Sequence, residues 1–387
     1  MHTNIIRNTT VFISINVCFF LIAFIFFQFE NKYFLQNGIA PWDGAIFKHI
    51  ILSLNDKSFT IIQNHFLDPH SSKLVFIYFV NFIKNYFTLS IINSMFWVNI
   101  ASCYLLFLII FYFLGYFKKN VILQLILTLS LFFLWNGQLR LSIYNPSYPF
   151  AFNTLLISLS TMSIFFLIEK RNYYLLIIIP LIILITLQRY VIISSLTLTI
   201  LLLLIFNNLS TNNIYLIKIK NFFHFKKVDY LDVIRNKILI LLSIIILCVI
   251  YVKLISLKGG LFSFFKIIIK FSYFHLHPLE FIYSFYFAYG ALFLVFVPCI
   301  IIPKLRKDFL LSFDKISRIQ KIILISIFFN SILLANLGGD DSSRFLLWFA
   351  PWYLLIFYIS ALSMIKNYKI SILIIVIPIY VLGARIF

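Results

Sequence analysis

The chain has 387 residues, of which 62% are hydrophobic and only 11% charged, with a formal net charge of +20. A soluble domain carries roughly 25% charged residues, and no globular core of this length hides so much apolar surface. The composition therefore excludes a soluble enzyme or binding module and points to a multi-pass membrane protein. The excess of Lys and Arg has two readings: attraction to anionic lipid or substrate, or ordinary enrichment of cytoplasmic connections. The 48 Phe, beside abundant Ile, Asn and Lys, suit an AT-rich genome and favour the second.

In chain order, the first apolar run covers 10–29, with Arg7 before it and no small-residue cleavage site after it, so it reads as an uncleaved first helix. Further runs of spanning length lie near 90–116, 121–135, 150–168, 173–188, 190–206, 238–255, 283–302, 322–337, 345–364 and 370–386. That makes about 11 spans by the length rule. The expected fold is all-α, a single polytopic membrane domain over 1–387. The two densest basic clusters, 218–237 and 304–321, fall on one side when the N-terminus is placed in the cytoplasm. The site-bearing connections then lie outside: 30–89, 136–149, 256–282 and 338–344. Within the first, 73–87 with Lys84 is too short and too charged to span, and reads as an amphipathic helix on the membrane surface. Cys18, Cys103, Cys248 and Cys299 sit inside apolar runs and read as small packing residues.

Acidic residues are scarce, 12 Asp plus Glu, and one of them stands in Trp42-Asp43-Gly44 just past the first run. A lone carboxylate at the outer face can take a proton from an attacking hydroxyl. Gly44 lets the backbone turn, and Trp42 offers an aromatic face to a sugar or to the headgroup level. Pro41-Trp42-Asp43-Gly44 equally has the composition of an interfacial turn. The second constellation is Gly338-Gly339-Asp340-Asp341-Ser342-Ser343-Arg344, where Arg344 can grip a phosphate. Asp340 or Asp341 can hold a divalent cation, magnesium or manganese. The alternative is a solvated turn with Arg344 paired to an Asp. Arg189, between two apolar runs, faces a cavity or the surface and is a further phosphate candidate; Arg140 is a weaker one. His275, His277 and Glu280 are ligand types without identifiable further ligands, as are His65 and His70, so no metal centre is expected from them. No P-loop, GxGxxG, HExxH or nucleophile elbow occurs, and no nucleic-acid partner is expected.

One helix, an outside loop opening on Trp-Asp-Gly, an interfacial helix and about ten more spans resemble the GT-C superfamily of glycosyltransferases. Trp42-Asp43-Gly44-Ala45-Ile46-Phe47-Lys48-His49-Ile50 is similar to the loop opening of the second GPI mannosyltransferase family and its bacterial relatives. The segment 339–351 resembles their late Gly-Asp-Asp-x-x-Arg stretch with its aromatic and Pro. The resemblance implies an inverting transferase in a bacterial inner membrane. It would move a sugar, a mannose or other hexose, from a polyprenyl-phosphate donor to an envelope glycan, glycolipid or protein, with Asp43 as base. Two departures stand out: Ile51-Leu52-Ser53-Leu54 replaces the usual small-residue and Gly-Tyr continuation, and the later aromatic-Pro stretch is only Phe66-Leu67-Asp68-Pro69. Two rivals remain. A lipid-linked glycan flippase or exporter needs charges deep in several spans, and an O-antigen polymerase or ligase typically has a large late outside loop.

Overall fold

The computed structural model describes residues 12–21, 23–24, 48, 50–52, 74–117, 120–133, 139, 142–143, 149–170, 278–337 and 346–368. Of these, 92% are helical and none lies in a strand, so the all-α expectation holds for the described residues. The helices are α1 (Phe12–Leu21), α2 (Leu74–Phe87), α3 (Ile91–Phe117), α4 (Val121–Phe133), α5 (Phe150–Lys170), α6 (Pro278–Tyr289), α7 (Val297–Ile301), α8 (Pro303–Asp314), α9 (Arg318–Leu337) and α10 (Ala350–Tyr368). The expected spans at 173–188, 190–206, 238–255 and 370–386 lie outside the described residues.

Local chemistry explains where these helices begin. Ser90 accepts the Asn93 backbone N–H at 3.2 Å before α3, and Asn120 accepts that of Leu123 at 3.2 Å before α4. Before α9 a capping box closes both ways: Gln320 Oε1 accepts the Ser317 N–H at 2.7 Å, and Ser317 Oγ accepts the Gln320 N–H at 3.3 Å. Pro303 and Pro351 occupy first-turn positions of α8 and α10, where a missing N–H costs nothing.

The stop of α2 is strained. Thr88 has φ 52°, and the Leu89 N–H reaches back to the Lys84 carbonyl at 3.1 Å, which is the Schellman arrangement with a β-branched residue where Gly belongs. Thr88→Gly is therefore expected to raise stability by about 1 kcal/mol, read as a higher melting temperature of the purified protein. An unchanged or lower melting temperature contradicts the strain argument.

α3 has 27 residues, about 40 Å at 1.5 Å per residue, and is the one helix among the described residues long and apolar enough to cross a membrane. Trp97, Leu105, Tyr112 and Tyr116, at helical spacing, form an exposed stripe along it. The opposite side carries Cys103, Leu106, Phe107, Ile110 and Leu114 into the core. α5 is buried nearly all round and packs against α3, α9 and α10. Its small polar residues Thr154, Ser158 and Thr161 let neighbouring helices approach closely. α4 approaches α3 at Gly115, where a Cβ would stand 3.2 Å from Gln124 Oε1. Gln124 in turn donates to the Tyr358 hydroxyl at 3.3 Å, tying α4 to α10.

The structure adds detail to three of the expected elements. The run 283–302 is not one continuous helix: α6 stops at Tyr289, Gly290 takes φ 56°, a 3₁₀ turn covers Gly290–Val295, and Pro298 lies in the first turn of α7. A left-handed Gly and a proline interrupt what hydropathy reads as continuous. Within the expected helix 73–87 the structure shows α2 at Leu74–Phe87, with one face in the core through Phe76, Ile77 and Val80 and with Tyr78, Phe82 and Tyr86 exposed. Phe76 and Phe79 reach Phe152 of α5 at 5.7 and 5.9 Å between ring centroids. Lys321, assigned to a solvated connection, is buried with 3% of its side chain exposed and is paired to Asp314 at 3.1 Å. Burying that ammonium is tolerable only because the carboxylate compensates it.

α8 is clasped to the end of α10. Lys366 meets Asp308 at 3.2 Å, and the Asn367 amide donates to the other carboxylate oxygen. The Asn367 hydrogen bond first, then that of Lys366, holds the Asp308 carboxyl below its ordinary value. A depressed carboxylate contributes stability above its unfolded-state pKa of about 3.9 and loses it as pH falls through the lower folded value. Asp308→Asn is thus expected to lower the melting temperature at neutral pH, with the gap to wild type closing on acidification below about pH 4. A gap independent of pH would exclude the carboxylate as its source.

Candidate functional site

Trp42, Asp43, Gly44, Arg189, Asp340, Asp341 and Arg344 all lie outside the described residues, as do Arg140, His65, His70, His275 and His277. The structure shows the segments that flank the two motifs. After Trp-Asp-Gly the chain is helical at Lys48 and at 50–52, with Ile50 and Ile51 buried in the main core and Lys48 and Leu52 exposed. The alternation is that of a helix with one face embedded.

The late link leaves α9 at Leu337 and re-enters at Leu346, where the chain is fully committed to the interior. Leu346, Leu347, Trp348, Phe349 and Ala350 are all buried. The Tyr289 hydroxyl donates to the Leu346 carbonyl at 2.8 Å. A turn follows, with the Phe349 N–H on Leu346 at 3.2 Å and the Trp352 N–H on Phe349 at 3.0 Å. Two aromatic groups hold this segment. Tyr353 packs against Phe285 at 5.0 Å and Tyr289 at 5.3 Å. Trp352 lies edge-on to Phe113 at 5.1 Å and Phe165 at 6.0 Å, and its indole N–H donates to Thr161 Oγ1 at 3.0 Å. Residues 346–353 are therefore packed into the helical bundle. The tryptophans point into the bundle, and Pro351 starts a helix rather than bending one. The Trp352 indole N–H finds its partner inside the bundle, on Thr161, which removes its reason for an interfacial position.

Tyr289, Thr161 and Trp352 were not singled out by sequence reading. Their pairings join residues 57 and 191 positions apart, and no local pattern signals them. The connection 136–149 is likewise drawn inward at its described positions. Cys103 Sγ approaches the Leu139 carbonyl at 4.0 Å, and Ser142 Oγ accepts the Ala151 N–H at 3.3 Å at the start of α5.

A groove of about 600 Å³ runs between α1 and α3, lined by Asn16, Val17, Phe20, Leu21, Phe96 and Trp97 among others. Its polar residue is spoken for: Asn16 donates to the Phe12 carbonyl at 2.7 Å and accepts from the Tyr104 hydroxyl. Such a surface accommodates hydrocarbon and supplies no acid, base or nucleophile. Among the described residues no group of three or more His, Cys, Asp and Glu comes together. Comparison of the chain with protein-family models, curated proteins and solved structures finds no match in any of the three.

Proposed function

We propose that the chain is a multi-pass membrane glycosyltransferase of GT-C type, taking a sugar from a polyprenyl-phosphate donor at the non-cytoplasmic face. Asp43 takes the proton from an acceptor hydroxyl as its oxygen attacks the anomeric carbon. The bond from that carbon to the phosphate breaks, the configuration inverts, and the polyprenyl phosphate leaves as an anion that needs no protonation. Arg344 and Arg189 hold that phosphate. The acceptor is a glycan, glycolipid or protein of the envelope.

The observation that carries the reading is the pair of motifs, Trp42-Asp43-Gly44 and Gly339-Asp340-Asp341-Ser342-Ser343-Arg344, in a helical chain with apolar outward faces. The membrane part is supported by α3 and by exposed Phe20, Phe24, Trp97, Tyr112 and Phe329, since a soluble monomer rarely exposes so much large apolar surface. The buried segment 346–353, which follows directly on Arg344, supports that role, because a phosphate clamp works best on a well-packed base. The test is transfer of radiolabelled hexose from a defined polyprenyl-phosphate donor by the full-length protein in liposomes. Transfer that requires both Asp43 and Arg344 is expected. Movement of the lipid-linked sugar across the bilayer without transfer would replace this reading with a flippase.

A further inference from the structure

α8 has two faces of different chemistry. Its inner face is fixed: Leu305 is buried, and Phe309 lies edge-on to Phe296 at 5.5 Å and stacks on Phe313 at 5.8 Å. Its outer face interleaves cations with leucines. Arg306, Lys307, Leu310 and Leu311 are all exposed, Leu311 at 53%, and Lys307 shares one helical face with both leucines by i+3 and i+4 spacing. Lys315 follows, exposed, and the exposed Ile300, Ile301 (69%) and Ile302 precede.

Both carboxylates of α8 are already engaged by lysines from other helices, Asp308 by Lys366 and Asp314 by Lys321. The cations of the outer face are thus left without internal compensation from these carboxylates. The face is both cationic and apolar, which decides what covers it. An acidic polypeptide would answer the charges and leave Leu310, Leu311 and Ile301 wet. A layer of anionic lipid answers both, its headgroup phosphates meeting Arg306, Lys307 and Lys315 and its acyl boundary taking the aliphatic side chains.

We propose that α8 is an in-plane helix that binds anionic phospholipid at the membrane face carrying the ends of α7, α9 and α10. The inference rests on the membrane reading above and is independent of the transfer chemistry. Full-length protein in a neutral detergent is titrated with fluorescent-tailed phosphatidylglycerol and with phosphatidylcholine of the same tails. Phosphatidylglycerol is expected to bind preferentially, with most of the preference lost in high salt. The combined Arg306→Gln, Lys307→Gln, Lys315→Gln variant is expected to weaken that binding roughly tenfold to hundredfold. The charge-conserving set Arg306→Lys, Lys307→Arg, Lys315→Arg keeps it. Equal affinity for the two lipids, salt-insensitive binding, loss in the charge-conserving set, or capture of polyglutamate in place of phosphatidylglycerol would each overturn the proposal. Release of the chain from membranes by alkaline carbonate would instead sink the membrane reading on which it stands.

Discussion

Asp43→Asn is expected to lower sugar transfer by about 10²- to 10⁴-fold, the range a positioned general base contributes, with the protein still inserted and folded. The physical argument is one of protonation. The leaving polyprenyl phosphate is stable as an anion, so the reaction has no need of an acid. The acceptor hydroxyl, with an unperturbed proton affinity far above that of a phosphate, cannot attack effectively without a base. Asn has nearly the size of Asp and the same planar head, yet its amide has no proton affinity in the working range. Binding is left largely in place, so the fall belongs in kcat rather than KM. Asp43→Glu retains the base and displaces it, and part of the activity survives. Arg344→Lys keeps a positive charge and loses the planar fork, so its effect falls chiefly on the donor's KM. The measurement is single-turnover transfer in liposomes, with melting temperature as the folding control. Transfer by Asp43→Asn within about threefold of wild type, against the hundredfold that loss of a base entails, would remove Asp43 from the mechanism.

Trp352→Ala is expected to destabilise the protein by about 3–5 kcal/mol, the range for deleting a large buried aromatic side chain. Trp352 is 0% exposed and joins three helices at once, through Phe113 of α3, Phe165 of α5 and its indole hydrogen bond to Thr161. In a lipid-like surrounding the loss is one of close packing and hydrogen bonding rather than of transfer from water. Deleting the ring leaves a cavity that three rigid helices cannot collapse into. Trp352→Phe separates the contributions: the ring contacts largely survive, and Thr161 loses one partner, worth about 1 kcal/mol. Thermal unfolding in detergent reads both variants. A melting temperature of Trp352→Ala equal to wild type would mean that the α3–α5–α10 junction is not a structural keystone. Because α10 begins where the Gly-Gly-Asp-Asp link re-enters the bundle, the same variant is also expected to raise the donor's KM.

Much of the helical layout could be read from the chain. The expected runs 90–116, 121–135, 150–168 and 322–337 correspond to α3, α4, α5 and α9 within a few residues. The starts of α3, α4 and α9 are written in Ser90, Asn120 and the Ser317–Gln320 box, signals that depend on residues three positions apart or fewer. The interruption of the helix within 283–302 has a local cause too, Gly290 and Pro298, which hydropathy averages away. The two motifs of the candidate site are also short-range features, so reading them needed no fold.

The dividing line follows the range of the interactions. Apolar content, helix periodicity and capping are properties of a few consecutive residues, and they were enough to specify the helices of the described residues. Burial is a property of the assembled bundle. Nothing in the neighbourhood of Lys321 announces that it lies inside against Asp314, or near Trp348 and Trp352 that they face inward. The two faces of α8 are the same case. Basic residues and leucines are mixed there in a way that hydropathy reads as a mere connection. Only the packing of Leu305 and Phe309, and the capture of Asp308 and Asp314 by lysines from other helices, leaves its cations and leucines together on one open side.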